Sequence, residues 1–65
     1  MKEIGDKLKA LRESKGLSQV EFAIRCGLNP SVYPVWEQGR QTPNIKFLLK
    51  IKRWYLVEWD DILPK

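Results

Sequence analysis

The stretch SQVEFAIRCGLNPSVYPVWEQGR, residues 18 to 40, decides the fold of this chain. Its first four residues form a capping box, in which Ser18 caps a helix and Glu21 reaches back to it. The helix should end at Gly27, because glycine adopts the left-handed backbone conformation that closes helices. Asn29 and Pro30 then have the residue types of an N-cap and a first helical position. The stretch predicts two short helices joined by a turn, the spacing of a helix-turn-helix.

The flanking segments predict further helices. Residues 1–15 carry apolar side chains at helical spacing, and Asn44 is a suitable cap for a fourth helix. Residues 54–57 are aromatic and β-branched, which favours a strand, whereas residues 60–63 look like a final helical turn. We expect an all-α fold of about five short helices in a single domain over residues 1–65, with a short C-terminal strand as the alternative. The expected core consists of Leu8, Leu11, Phe22, Ala23, Cys26, Leu28, Tyr33, Trp36, Leu48 and Leu49.

The composition excludes several classes of site. The chain has 65 residues, no His and one Cys, so it offers no thiolate and imidazole ligands for zinc, no histidine-based triad and no internal disulfide. Cys26 is interpreted as a small core residue that suits a reducing, cytoplasmic compartment. No apolar stretch approaches the ~20 residues of a membrane span. We therefore expect a binding module, not an enzyme, with no metal and no cofactor.

The charge favours an anionic partner but is unevenly placed. Twelve Lys and Arg residues face eight Asp and Glu residues, a net charge of +4. No acidic residue lies between Arg40 and Arg53, whereas no charge of either sign lies between Leu28 and Trp36. The basic balance therefore favours phosphate binding beside the second helix of the helix-turn-helix. It does not favour base reading by that helix.

The motif residues resemble one known family. The pattern Ser18-Gln19-x-Glu21-Phe22-Ala23-x-x-Cys26-Gly27-Leu28, followed by Trp36-Glu37-x-Gly39 and Pro43, is similar to the Cro/CI (XRE) family of phage and bacterial repressors. The similarity continues without gaps to Leu63. It implies a lambda-repressor-like fold of five short helices, with the helix-turn-helix at about residues 19–38. It also implies that the third helix lies in the DNA major groove.

The resemblance assigns roles to individual positions. Gln19, Gln38 and Arg40 match the family's phosphate-contacting positions. Arg12 and Glu37 match the positions of a partly buried structural ion pair. The base-facing positions of the third helix are Pro30, Ser31, Val32, Pro34 and Val35.

Two features depart from the family pattern. The base-facing positions lack the Arg, Gln and Asn side chains that pair with guanine and adenine through two hydrogen bonds. Val32 and Val35 offer only apolar contact with thymine methyl groups, so we expect modest specificity that depends on DNA shape. Pro34 lacks the N–H that would pair with Pro30. Either the first turn of the third helix is loosened, or that helix starts nearer Pro34.

Two functions follow as hypotheses. The first is sequence-specific, repressor-like binding of double-stranded DNA, which implies association with the bacterial nucleoid. The alternative is a protein-interaction or antitoxin-like module that keeps the fold and uses the third helix as an apolar contact surface. In the resembling family, two-fold dimers bind paired half-sites. A homodimer through Trp54, Tyr55 and Trp59 is therefore a further expectation.

Overall fold

A computed structural model describes residues 2–63, which form four α-helices and one short 3-10 helix. The α-helices are α1 (Lys2–Ser14), α2 (Gln19–Arg25), α3 (Tyr33–Glu37) and α4 (Ile45–Tyr55), and the 3-10 helix covers Trp59–Asp61. The described residues contain no strand, so the all-α expectation is confirmed. The strand alternative for residues 54–57 is wrong.

The starts of α2 and α4 agree with the sequence. The Ser18 hydroxyl accepts a hydrogen bond from the Glu21 N–H at 3.1 Å, and the Glu21 carboxylate accepts one from the Ser18 N–H at 3.0 Å. The Asn44 side chain accepts from the Phe47 N–H at 3.2 Å. These bonds satisfy backbone donors that have no partner inside the helix. Local chemistry therefore sets both helix starts.

The start of α3 differs from the first expectation. Asn29 caps a turn and not the helix, because its side-chain oxygen accepts from the Ser31 N–H at 2.8 Å. Residues 30–32 form that turn, and the helix begins at Tyr33. Pro34 consequently lies in the first helical turn, where a missing N–H costs little. The second of the two alternatives for Pro34 is therefore confirmed.

The core combines side chains from all the helices. Two expected members, Leu11 and Leu49, are only half-buried. Leu11 packs against the buried cluster, whereas Leu49 does not, so the assignment of Leu49 to the core is corrected. On α4 the core side chains are Leu48 and Ile51, and Leu49 lies one position outside that stripe. Some of the largest side chains in the core are fully buried. Protein interiors are close-packed, so these side chains must fill the space between the helices without gaps. The buried apolar residues are Ile4, Leu8, Phe22, Ala23, Cys26, Leu28, Tyr33, Trp36, Leu48, Ile51 and Ile62.

Helices α1 and α3 approach so closely that one position of α1 has no room for a side chain. A Cβ atom on Gly5 would lie 2.6 Å from the Glu37 carbonyl oxygen and would also clash with the carbonyl oxygen of Trp36. Both obstacles are backbone atoms, which cannot rotate away. Gly5 therefore fixes the distance between α1 and the C-terminal end of α3.

Helix α4 ends at a residue with left-handed backbone geometry. Leu56 has φ 54° and ψ 45°, and it is the one non-glycine residue with positive φ among residues 2–63. Its side chain is 89% exposed. This reversal turns the chain back, so that Ile62 is fully buried beneath the C-terminal 3-10 helix. The aromatic residues before it remain helical because Tyr55 packs on the core.

Candidate nucleic-acid interface

The connection between α2 and α3 has the geometry of a tight helix-turn-helix. Gly27 has φ 75°, a conformation that disfavours residues with a Cβ atom. The Leu28 N–H then donates to the Ala23 carbonyl oxygen at 2.8 Å, which closes the end of α2. Ala23 is fully buried. The turn therefore directs residues 29–32 into α3 at a fixed angle.

A buried ion pair joins α1 to the end of α3. Arg12 Nε lies 2.7 Å from Glu37 Oε2, and Arg12 Nη2 donates to Glu37 Oε1 at 3.2 Å. The Arg12 Nη1 atom donates to the Leu17 carbonyl oxygen at 2.8 Å. The exposed fractions of the two charged side chains are 13% and 3%. This pair fixes α1, the loop before α2 and α3 relative to one another.

Gln19 joins the same carboxylate. Its side-chain amide nitrogen donates to Glu37 Oε1 at 3.1 Å, so the first residue of α2 is tied to the last residue of α3. Sequence reasoning missed this contact, because the two residues are far apart in the chain and no local pattern relates them. Gln19 thus has a structural partner in addition to the phosphate role that the resemblance implies.

The electrostatics of Glu37 follow from these contacts. Burial by itself would raise the pKa of Glu37, but hydrogen bonds from Arg12 and Gln19, with the adjacent Tyr33 hydroxyl, lower this pKa below its ordinary value. The bond to Glu37 in turn raises the pKa of Arg12. Both side chains are therefore charged at neutral pH.

The Tyr33 hydroxyl lies next to this hydrogen-bond network but is poorly satisfied by it. It is buried beside Glu37 and makes no hydrogen bond of good geometry within the described residues. Burial first, and then the Glu37 carboxylate, raise the pKa of Tyr33. The ring itself is well packed, since its centroid lies 5.0 Å from that of Phe22 and 6.1 Å from that of Trp36. Tyr33 is therefore a neutral core residue.

The expected base-facing positions lie at the surface. Ser31 and Val32 are exposed, whereas Pro30, Pro34 and Val35 are half-buried. Because α3 begins at Tyr33, the first three of these five positions belong to the turn and only the last two are helical. The turn and the first turn of α3 therefore present a mostly apolar surface with one hydroxyl group.

The expected phosphate-contacting residues lie at the start of α2 and just after α3. Gln19 and Gln38 line one open groove, together with the Arg12–Glu37 pair and with Lys9 of α1. Arg40 lies apart from this groove, in the exposed loop after α3. Its backbone N–H donates to the Val35 carbonyl oxygen at 3.1 Å. The structure thus brings the two glutamines to one groove, and Arg40 is not among the residues that line it.

Cys26 is a core residue and not a nucleophile. Its thiol is 7% exposed and donates to the Phe22 carbonyl oxygen at 3.1 Å. Burial raises the pKa of the thiol to about 11, so the reactive thiolate is scarce at neutral pH. Residues 2–63 contain no cluster of three or more potential metal ligands of the His, Cys, Asp and Glu types. In the same part of the chain, no helix is long and apolar enough to cross a membrane.

Two helices joined by a glycine turn, braced by a first helix and covered by a fourth, define the class of helix-turn-helix domains. The family profile described as "Helix-turn-helix domain" matches residues 3–61. The chain belongs to this family. The resemblance noted in the sequence is thereby confirmed at the family level.

Curated relatives come from both animals and bacteria. Human endothelial differentiation-related factor 1 is 39% identical over 51 residues, which cover 78% of this chain and 34% of that protein. The "HTH-type transcriptional activator BcrR" of Enterococcus faecalis is 31% identical over 61 residues, which cover 94% of this chain and 30% of that protein. The chain therefore spans about a third of the length of these relatives. A search of solved structures gives no significant match.

Proposed function

We propose that this chain binds double-stranded DNA and regulates transcription. The observation that carries the proposal is the solvent-accessible, acid-free surface that a helix-turn-helix fold holds at the entry to α3. It consists of the exposed Ser31 and Val32 and the half-buried Pro30, Pro34 and Val35. Helix-turn-helix domains use this part of the fold to enter the major groove. The similarity to a bacterial protein named as a transcriptional activator supports the regulatory role.

The proposal includes how sequence is read. Ser31 supplies a hydroxyl that can donate to or accept from a base edge, and Val32 and Val35 contact thymine methyl groups. Pro30 and Pro34 contribute shape to the same surface. Because none of these side chains forms two hydrogen bonds with one base, specificity depends on DNA shape and deformability as well. We expect weak discrimination between related sites.

Affinity in this proposal comes mainly from phosphates. Arg40, in the exposed loop after α3, neutralises a phosphate, and Gln38 beside it and Gln19 at the start of α2 contact the DNA backbone as well. Such contacts release condensed counterions from DNA, so binding should weaken steeply as salt rises. Occupation of a promoter is sufficient to block other proteins, so repression is the regulatory outcome that we propose.

The direct experiment is a salt titration of DNA binding by the Arg40→Ala variant. Replacing Arg40 should weaken binding to all sequences alike and lower the slope of log affinity against log salt by about one. Lys15→Ala, which removes an exposed cation beyond the end of α1, is the matched control and should leave the slope unchanged. An unchanged slope in the Arg40 variant would refute the assignment of this side chain to a phosphate.

We further propose that two copies associate through the C-terminal part of the chain. Of the three expected aromatic residues, Tyr55 and Trp59 pack against the core, whereas Trp54 is 58% exposed. Leu56, two residues further on, adds a second exposed apolar side chain. Sedimentation velocity should therefore detect a concentration-dependent dimer that Trp54→Ser abolishes. A monomer at all concentrations would contradict this part of the proposal.

A further inference from the structure

The outer face of α4 carries a row of cations. Lys46, Lys50 and Arg53 are spaced by four and three residues, so they lie on one side of the helix, and all three are exposed. The opposite side of α4 carries the buried residues Leu48 and Ile51. We call the three cations the α4 basic ridge. At 1.5 Å per residue, the ridge extends over about 10 Å.

No acidic side chain compensates this charge within the described residues. The ion pairs there are Lys2–Asp6 and Arg12–Glu37, and neither includes a member of the ridge. The sequence has no Asp or Glu between Glu37 and Glu58. Like charges one helical turn apart destabilise a helix. An ordinary solvated helix face mixes both signs, so the ridge is an unbalanced positive surface.

The ridge adjoins the helix-turn-helix. The Lys50 Nζ atom lies 3.5 Å from the carbonyl oxygen of Gly27, the residue that turns the chain from α2 toward α3. The same atom lies 5.8 Å from the centre of the Phe47 ring. Lys50, the middle cation of the ridge, therefore lies beside the turn of the helix-turn-helix, which leads into residues 30–35.

We infer that the α4 basic ridge is a second phosphate-binding surface, which contacts the DNA backbone without reading its sequence. DNA carries one phosphate per 3.4 Å of each strand along the helix axis, and each strand also winds around that axis, so a row of about 10 Å can reach more than one phosphate of an adjacent strand. This inference rests on the proposed function and extends its footprint from the entry of α3 to the outside of α4. The duplex that occupies α3 supplies the additional phosphates.

The test compares salt slopes on a labelled random-sequence duplex several helical turns long. A triple variant with Lys46→Gln, Lys50→Gln and Arg53→Gln should lower the slope of log affinity against log salt by about two to three. Each single substitution should lower it by about one. Because the three side chains are exposed, circular dichroism should report an unchanged helix content for every variant.

A charge-conserving triple variant with Lys46→Arg, Lys50→Arg and Arg53→Lys is the matched control and should keep the wild-type slope. If the Gln variant also keeps the wild-type slope while Arg40→Ala lowers it, the ridge inference is overturned and the proposed function stands. In that case the ridge is available for an acidic protein partner. If the wild-type chain does not bind the duplex, the proposed function fails and the ridge inference fails with it.

Discussion

A single glycine in α1 carries a packing constraint that helix propensity would not suggest. Gly5 is internal to α1, and replacing an exposed internal glycine by alanine normally stabilises a helix by about 1 kcal/mol. Here the added Cβ would meet the backbone carbonyl oxygens of Trp36 and Glu37. The higher helix propensity of alanine would raise the free energy of unfolding, and the clash with α3 would lower it. The sign of the measured change therefore shows which effect is larger.

We predict that Gly5→Ala destabilises the protein, because α1 must move away from α3. The free energy of unfolding in urea should fall by about 1–3 kcal/mol, the usual cost of an overpacked core. Lys9→Ala, at an exposed position of the same helix, should change it by less than about 0.5 kcal/mol. A Gly5→Ala variant that is more stable than the wild type would show that this close approach does not exist.

Leu56 is the residue where backbone strain is concentrated. A residue with a Cβ atom in the left-handed conformation costs roughly 1–2 kcal/mol, and glycine avoids that cost. Glycine gives back about 0.4–1 kcal/mol because it is more flexible in the unfolded chain. The exposed Leu56 side chain contributes little to packing within a single copy of the chain.

We therefore predict that Leu56→Gly raises the free energy of unfolding by about 0.5–1 kcal/mol. The corresponding rise in melting temperature is a few degrees for a domain of this size. Leu56→Ala removes the same exposed side chain but keeps the Cβ atom, so it should not stabilise. Equal melting temperatures for the two variants would contradict the account of how α4 ends.

At the scale of the helices, the contact between α1, α2 and α3 depends on one carboxylate. Glu37 receives hydrogen bonds from Arg12 of α1 and from Gln19 of α2. Removing its charge leaves the Arg12 guanidinium largely buried without a counter-ion, which typically costs about 3–5 kcal/mol. The exposed Lys2–Asp6 pair is the natural comparison, since such surface pairs contribute about 0–1 kcal/mol.

We predict that Glu37→Gln lowers the free energy of unfolding at neutral pH by about 3 kcal/mol, whereas Asp6→Asn has almost no effect. The pKa of Glu37 is lower in the folded chain than its ordinary value of 4.5. Its stabilising contribution is therefore complete above pH 4.5 and is lost as the pH falls through the folded pKa. The stability difference between wild type and Glu37→Gln should shrink on acidification. A difference that stays constant from neutral pH to pH 3 would refute this role.

The helix starts show which structural features can be predicted from the sequence and which cannot. The starts of α2 and α4 were predictable because Ser18, Glu21 and Asn44 act on backbone groups within three residues. For the start of α3 the sequence allows two alternatives, because Pro30 and Pro34 are both acceptable in a first helical turn. The decision depends on the Asn29 side chain, which bonds to the Ser31 N–H and closes a turn first.

Long-range contacts were harder to predict than local ones. The burial of Ile62 depends on the reversal at Leu56, and the burial of Leu49 depends on how α4 is rotated against the core. The constraint at Gly5 arises from two carbonyl groups more than thirty residues away. The Gln19–Glu37 hydrogen bond likewise joins separate helices. The constraint at Gly5 and the Gln19–Glu37 hydrogen bond have no signature in the local sequence, since any small or polar residue would fit the helical pattern at these positions.

At the scale of the whole molecule, charge and apolar surface are separated. The entry to α3 has an uncharged surface at residues 30–35, while cations lie beside it in the loop at Arg40 and along α4. This arrangement suits strong backbone contact and weak base reading. In the proposed complex, the peripheral cations supply affinity and orientation, and the centre of the interface supplies the limited reading of sequence.

The most direct test of DNA binding is a titration of the isotope-labelled chain with random duplex DNA, followed by amide chemical shifts. We predict that the shifts concentrate at the amides of Ser31, Val32 and Val35, at Arg40 and on the outer face of α4, and that added salt reverses them. Shifts that avoid residues 30–35 and Arg40 would contradict this prediction. That result would instead favour a protein-interaction module that keeps a helix-turn-helix fold.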